Sequence, residues 1–120
     1  MAQSLAQVYI HLVFHTKYSS VTIREDDLPE LFAYIDGIIV NKNSMVIQIG
    51  GVPNHIHILC TLPRTISMAD FVEDIKKCSS KWIKTLSSYY SKFAWQGGYA
   101  IFSVSASQVQ KVKDYVTNQK

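Results

Sequence analysis

Two histidines separated by a single residue, His55 and His57, lie in the otherwise apolar run PNHIHIL at residues 53–59. On a β-strand, residues i and i+2 project from the same face, so the two imidazoles would be neighbours on one side of a sheet. Neutral imidazoles are good ligands for divalent metal ions and pack poorly on a hydrophobic face. The pair therefore predicts either part of a metal site or two solvated histidines on an open sheet face.

A second pair of polar residues lies near the C-terminus, in the segment DYVTNQ at residues 114–119. Tyr115 and Gln119 are four residues apart, so on a helix they share one face, beside the apolar stripe rather than within it. That stripe is formed by Val109, Val112 and Val116. A phenol can attack phosphorus, and an amide oxygen can join two histidines in a metal site. The alternative is that the tyrosine only packs at the margin of the buried face.

The elements that position these residues are predicted from hydrophobic periodicity and from turn residues. Strands are expected at residues 7–16, 45–49, 55–61 and 99–104, and helices from 27 to about 41, from 67 through 86 and from 107 onward. Gly50 and Gly51 are interpreted as a break after the second strand, and the short gap to the third strand predicts an antiparallel hairpin.

The two later helices each begin with the spacing of a capping box, in which a serine is followed three residues later by an acid or amide. These pairs are Ser67 with Asp70 and Ser107 with Gln110.

In the first strand, polar and apolar residues alternate, so the two faces are expected to differ. One face would carry His11, Val13 and His15, and the other Leu12 and Phe14.

The order β-α-β-β-α-β followed by a helix predicts an α+β fold. It is a ferredoxin-like, RRM-like split βαβ sandwich in which an extra C-terminal helix carries Tyr115. Residues 1–120 are expected to form one domain, since 120 residues suffice for a single hydrophobic core.

Composition narrows the class of protein. The hydrophobic fraction of 48% is that of a folded globular chain, and the net charge of +3 favours polyanionic partners only weakly. No apolar run approaches the ~20 residues of a membrane span, and the start MAQSLAQVYIHLVF lacks the features of a secretory signal. A cytoplasmic protein without membrane association is expected.

Cys60 and Cys78 match no metal or redox spacing, so free reduced thiols are expected.

Five segments resemble the IS200/IS605-type single-tyrosine transposases of the HUH endonuclease superfamily, in order and over nearly the whole chain. They are HLVFHTKY (11–18), GGVPNHIHIL (50–59), DFVEDIKKCSSKWI (70–83), FAWQGGYAIFSVSASQ (93–108) and VKDYVTNQ (112–119). The resemblance implies a DNA transposase that cleaves and rejoins single-stranded DNA near hairpins, through a 5′-phosphotyrosine intermediate.

Applied to this sequence, the resemblance implies that Tyr115 is the nucleophile and that His55, His57 and Gln119 bind a divalent metal ion, Mg²⁺ or Mn²⁺. It also implies a homodimer that binds hairpin-bearing single-stranded DNA, with the tyrosine acting in cis or in trans. The chain departs from its relatives at Ser19 and Ser20, where they tend to carry arginines, and they often continue beyond the position of Lys120 with a polar tail.

Basic and aromatic residues are further candidates for DNA contact. The lysines are Lys17 and the helical stripe Lys77, Lys81 and Lys84. The aromatic residues that are candidates for stacking on unpaired bases are Tyr18, Tyr89, Tyr90, Trp95 and Tyr99. His11 and His15 would either extend the metal site or serve as structural polar residues on the sheet face.

Two other functions are compatible with the sequence. One is a domesticated relative of the transposases that acts on repetitive extragenic hairpins with the same chemistry. The other is a noncatalytic, RRM-like module that binds single-stranded nucleic acid and retains only the fold. A tyrosine-dependent covalent adduct with DNA would distinguish an enzyme from such a binder.

Overall fold

The computed structural model describes residues 7–119, and residues 1–6 and Lys120 lie outside the described part. Its strands are β1 (Tyr9–His15), β2 (Val46–Val52), β3 (His55–Thr61) and β4 (Ala100–Val104). Its α-helices are α1 (Leu28–Asn41), α2 (Met68–Ile83) and α3 (Val109–Thr117). Short 3₁₀ turns at Glu25–Asp27, Ser88–Tyr90 and Ala106–Gln108 precede α1, β4 and α3 along the chain.

The four strands form one sheet in the order β2-β3-β1-β4, and neighbouring strands run antiparallel. This order, with α1 between β1 and β2 and α2 between β3 and β4, is the ferredoxin-like arrangement. The fold predicted from the sequence is therefore confirmed, including the β2–β3 hairpin and the additional helix α3.

The hydrophobic core lies between one face of the sheet and helices α1 and α2. Its main residues are Ile10, Leu12, Phe14, Ile56 and Ile58 from the sheet, Leu31, Ile35 and Ile39 from α1, and Phe71, Val72 and Ile75 from α2. The alternation predicted for β1 is confirmed, because His11, Val13 and His15 are less buried and project from the other face. That other face is the one on which α3 lies.

The helix starts agree with the sequence in one case and differ in another. The Ser67 hydroxyl accepts a hydrogen bond from the Asp70 backbone N–H at 3.1 Å, so the predicted cap of α2 is confirmed. The predicted cap of α3 is wrong: a 3₁₀ turn intervenes, α3 begins at Val109, and the Ser107 hydroxyl lies 3.2 Å from the Ser105 hydroxyl instead. Helix α2 also ends at Ile83, before the predicted residue 86.

The predicted break at Gly50 and Gly51 is wrong, because β2 continues through both glycines to Val52. Gly50 pairs with His57 across the hairpin and Gly51 pairs with Ile56. A Cβ atom at Gly50 would overlap the carbonyl oxygen of Val116 and lie 3.1 Å from its carbonyl carbon. Gly50 is therefore required for the close approach of α3 to the sheet rather than for a turn.

Two remaining expectations concern cysteines and membranes. Both cysteines are free, and burial raises the pKa of the Cys60 thiol to about 12, so this thiol stays protonated at neutral pH. Across residues 7–119, none of the helices has the length and apolar character needed to cross a membrane.

Gly50→Ala is expected to destabilise the protein by about 1–3 kcal/mol, because the added methyl group meets backbone atoms of α3, which cannot rotate away. Gly37→Ala is the matched control: its Cβ would enter open space on α1, and a stabilisation of about 0.4–1 kcal/mol is expected. Denaturant unfolding measures both changes. Equal stability of the two variants would contradict the close approach of α3 to β2.

Candidate active site

The histidine pair lies on the sheet face that carries α3. His55 is the first residue of β3, opposite His15 of β1, and His57 lies opposite Val13 of β1 and Gly50 of β2. The two imidazole centroids are 5.2 Å apart and the rings are inclined at 72°. As the period of a strand requires, both side chains lie at one end of one face of the sheet.

Each imidazole of the pair has its Nδ1 atom in a hydrogen bond. Nδ1 of His55 lies 2.8 Å from Oδ1 of Asn54, the preceding residue. Nδ1 of His57 lies 2.9 Å from Nε2 of His11, which reaches across from β1. The rings of His11 and His57 are stacked, with centroids 5.1 Å apart and planes inclined at 28°.

His57 is the more deeply buried member of the pair, with 6% of its surface exposed. Burial lowers its pKa to about 4, and the neighbouring His11 and His55 contribute by charge repulsion. Burial lowers the pKa of His11 as well. His57 is therefore neutral at physiological pH, which is the form that binds metal ions.

Tyr115 lies over these imidazoles within the same chain. Its ring centroid is 5.6 Å from that of His57 and 6.0 Å from that of His11, and both contacts are edge-on. The side chain is 55% exposed. Helix α3 fixes this position because the next residue, Val116, is fully buried and its backbone contacts Gly50. The tyrosine expected to be the nucleophile thus contacts His57, one of the two histidines expected to bind metal, and the other, His55, lies beside His57.

Gln119 lies just beyond the helix that carries Tyr115, and within residues 7–119 no hydrogen bond joins it to His55 or His57. Helix α3 ends at Thr117, and the Gln119 amide nitrogen donates to the Tyr115 carbonyl at 3.1 Å. Within residues 7–119, no group of three or more His, Cys, Asp or Glu side chains has the geometry of a metal site. A cation at His55 and His57 would therefore need a further donor of another kind.

The predicted DNA-binding lysines lie in two different places. Lys17 lines a cavity of about 350 Å³ that also adjoins His55. Lys77, Lys81 and Lys84 are exposed on or just beyond α2, which covers the opposite face of the sheet. The structure therefore brings Lys17 near the histidine pair, whereas the sheet separates the other three from it.

The aromatic residues proposed for base stacking divide into exposed and buried groups. Tyr18 is 98% exposed and Tyr99 42% exposed, so both present a ring to solvent. Tyr90 and Trp95 are core residues, and for them base stacking was a wrong prediction. Trp95 packs against Phe14 with centroids 4.7 Å apart, and its indole N–H donates to the Ser79 hydroxyl. The Tyr89 ring is partly buried and contacts the Arg24 guanidinium.

Sequence reasoning missed Asn54 as a partner of His55 and Gly50 as a partner of α3. Asn54 directly precedes the strand, so its proximity to His55 was a local signal that could have been used. The contact of His11 with His57 depends on the β1–β3 register, which two separate strand patterns do not specify.

Tyr115→Phe is expected to change the free energy of unfolding by less than about 0.5 kcal/mol, because the tyrosine hydroxyl has no hydrogen-bond partner within residues 7–119 and the ring is half exposed. Val116→Ala, one residue away and fully buried, is expected to cost about 2 kcal/mol. Chemical denaturation distinguishes them. A large loss for Tyr115→Phe would mean that the phenol has a structural role.

Three comparisons relate this chain to known proteins. The family model described as "Transposase IS200 like" matches residues 4–119. A crystal structure from Deinococcus radiodurans R1, provisionally described as a transposase, is 17% identical with a TM-score of 0.74, covering 97% of this chain and 95% of that one. A structure of a REP-associated tyrosine transposase bound to a REP hairpin is 13% identical in sequence, with a TM-score of 0.68. The match covers 97% of this chain and 68% of that one. At these identities the structures show a shared fold. Comparison with curated protein sequences gave no match.

Proposed function

Since the chain belongs to the family of IS200-like transposases, we propose that Tyr115 cleaves and rejoins single-stranded DNA, with His55 and His57 as ligands of a divalent metal ion. The observation that carries the proposal is the contact between the Tyr115 ring and the His57 ring, at 5.6 Å, on a sheet face that α1 and α2 leave uncovered.

The donor set of this site fits a divalent cation. His57 is neutral at physiological pH, and both His55 and His57 use Nδ1 in hydrogen bonds, so Nε2 is the atom of each ring that can bind a metal. We propose the Gln119 amide oxygen as the third ligand, since the bond to the Tyr115 carbonyl uses the amide nitrogen. Mg²⁺ and Mn²⁺ are the candidates, and two imidazoles favour Mn²⁺. When bound, the cation would polarise the scissile phosphate.

In the proposed cleavage step, the Tyr115 oxygen forms a bond to phosphorus, and the bond from phosphorus to the 3′ oxygen of the departing strand breaks. The phenol releases its proton to water and the departing 3′ oxygen gains one. The products are a 5′-phosphotyrosine and a free 3′-OH. Because one phosphate ester replaces another, attack by a 3′-OH reverses the link without ATP, and strands are rejoined.

The proposed substrate is single-stranded DNA that carries a hairpin. The fold is shared with the REP-associated tyrosine transposase that binds a REP hairpin, which supports this substrate class and also a role on repetitive hairpins outside mobile elements. Lys17 and the exposed ring of Tyr18 border the cavity beside His55. In a strand that enters the site, the Lys17 ammonium would contact a phosphate and the Tyr18 ring would stack on a base.

We also propose that the protein acts as a homodimer, as its resemblance to the single-tyrosine transposases implies. Tyr115 already contacts His57 of its own chain, and only residues 105–108 connect β4 to α3. The own-chain contact supports cleavage in cis in this arrangement. Exchange of α3 between subunits would give the same chemistry in trans.

A second candidate function is noncatalytic binding of single-stranded nucleic acid. The exposed aromatic rings of Phe102 on β4 and of Tyr99 just before it favour this alternative, because RRM-like sheets bind bases by stacking. Such a module would bind DNA but would form no covalent bond to it.

Incubation with hairpin-bearing single-stranded DNA and Mn²⁺ is expected to give a denaturation-resistant adduct on a gel. Tyr115→Phe removes the nucleophilic oxygen and abolishes the adduct, and His57→Ala or omission of the metal reduces it strongly. Tyr18→Phe is the matched control, because Tyr18 is exposed near His55 but is not the proposed nucleophile. DNA binding by the unmodified protein without any adduct would favour the noncatalytic candidate.

Lys17→Gln is expected to make DNA binding less dependent on salt. The slope of log binding constant against log salt concentration should become shallower by about 0.7, the value for one contact with a single-strand phosphate. The triple change of Lys77, Lys81 and Lys84 to Gln is expected to leave the slope nearly unchanged, because α2 lies across the sheet from the site. Filter-binding titrations measure both. A larger loss for the triple variant would mean that DNA contacts α2.

A further inference from the structure

The hydrogen bonds to the two histidines have a chemical consequence beyond holding the rings still. A neutral imidazole has one N–H donor and one nitrogen with a free lone pair, and only the latter binds a metal ion. Nδ1 of His55 faces an amide oxygen, Oδ1 of Asn54, at 2.8 Å. An amide oxygen can only accept, so Nδ1 of His55 must carry the proton and Nε2 the lone pair.

The tautomer of His57 depends on a different partner, His11. Its Nδ1 lies 2.9 Å from Nε2 of His11, so one of these two nitrogens donates and the other accepts. If His57 donates from Nδ1, its Nε2 is free for a metal, and His11 then accepts with Nε2 and carries its own proton on Nδ1. The opposite assignment would place the proton of His57 on Nε2 and block metal binding there.

We propose that His11 and Asn54 are positioning residues that fix His57 and His55 in the tautomer that presents Nε2 of both rings to one metal ion. This inference rests on the proposed function, because it assigns partners to the proposed metal ligands. Outer residues that accept a hydrogen bond from a ligating histidine orient the ring and raise its basicity, and their loss costs about 10–100-fold in metal affinity.

The surroundings of His11 suit a positioning residue better than a third ligand. Its ring is stacked on His57, and its centroid lies 6.1 Å from that of Phe102 and 6.0 Å from that of Tyr115. Three neighbouring rings therefore fix its orientation. Its Nε2 is already used by His57. His15, the other histidine on this face of β1, has Nδ1 3.3 Å from the carbonyl of Thr16, the next residue, and takes no part in this arrangement.

The strand register explains why this pairing forms. Val13 lies directly opposite His57 and His11 lies opposite Leu59, so His11 and His57 are diagonal neighbours on one face. Diagonal pairs on an antiparallel ladder are within reach of long and aromatic side chains. Asn54 needs no register, since it directly precedes His55.

The tautomers can be measured without metal or DNA by long-range ¹H–¹⁵N correlation NMR of the histidine side chains at pH 8. His55 and His57 are expected to carry the proton on Nδ1. His11→Phe keeps an aromatic ring but removes the acceptor, and it should shift His57 toward the Nε2–H tautomer; Asn54→Ala should do the same for His55. His15→Phe is the control and should change neither. An Nε2–H tautomer for His57 in the unmodified protein would overturn the proposal.

Metal affinity supplies the second readout, by titration with Mn²⁺ and electron paramagnetic resonance of the free ion. His11→Phe and Asn54→Ala are each expected to weaken Mn²⁺ binding by about 10–100-fold. His11→Gln and Asn54→Asp, which restore an acceptor at the same reach, should bind nearly as well as the unmodified protein. If His11→Phe does not fold, His11→Asn, whose shorter side chain cannot reproduce the bond, replaces it.

The outcomes separate this inference from the proposed function. Mn²⁺ binding that is lost in His57→Ala but unchanged in His11→Phe and Asn54→Ala would overturn the positioning role and leave the metal site intact. A protein that binds no Mn²⁺ and forms no covalent adduct would contradict the proposed function itself, and the NMR tautomers would then still decide whether His11 and Asn54 hold the rings as proposed.

Discussion

The arrangement of the site depends on one close backbone contact, between Gly50 of β2 and Val116 of α3. Side chains normally keep a helix away from a sheet, and the absence of one at Gly50 lets the helix backbone touch the strand. Gly50 is also the cross-strand partner of His57, and Val116 follows Tyr115 in the chain. One contact therefore sets the distance between the phenol and the imidazole, although Gly50 itself has no chemical function.

The two faces of the sheet differ in what covers them and in the side chains they carry. The face covered by α1 and α2 excludes water and contributes most of the hydrophobic stabilisation, which leaves the other face able to carry polar groups. Three imidazoles on that face are close together, and such groups are stable there because His57 has a hydrogen-bond partner and stays uncharged. The short helix α3 covers this face only in part, so the Tyr115 side chain stays 55% exposed beside the imidazoles.

The sequence was sufficient for the order of elements and for the faces of the strands, because the period of two in β1 and the helical stripe of α2 are strong local patterns. It was not sufficient at Gly50, since a glycine that ends a strand and one that admits a distant helix look the same locally. Trp95 is another example. No local pattern distinguishes a tryptophan that stacks on bases from one in the core, and only the packing against Phe14 and the hydrogen bond to Ser79 identify Trp95 as a core residue.

The candidate site was predictable in part for the same reason. The shared face of His55 and His57 follows from the strand period, and the position of Tyr115 beside an apolar stripe follows from the helical period. The hydrogen bond from β1 to His57 requires the register between two strands, and the end of α3 before Gln119 depends on where the last helical turn frays. Neither feature is encoded in a single local pattern.

In the proposed reaction, the phenol of Tyr115 becomes covalently linked to the 5′ end of a cleaved DNA strand. Mass spectrometry of the trypsin-digested adduct tests it most directly, because cleavage after Lys113 releases the tyrosine in the peptide DYVTNQK. A nucleotide phosphate is expected on that peptide alone. A nucleotide on a peptide that contains Tyr18, Tyr89 or Tyr99 instead, with residues 114–120 unmodified, would contradict it.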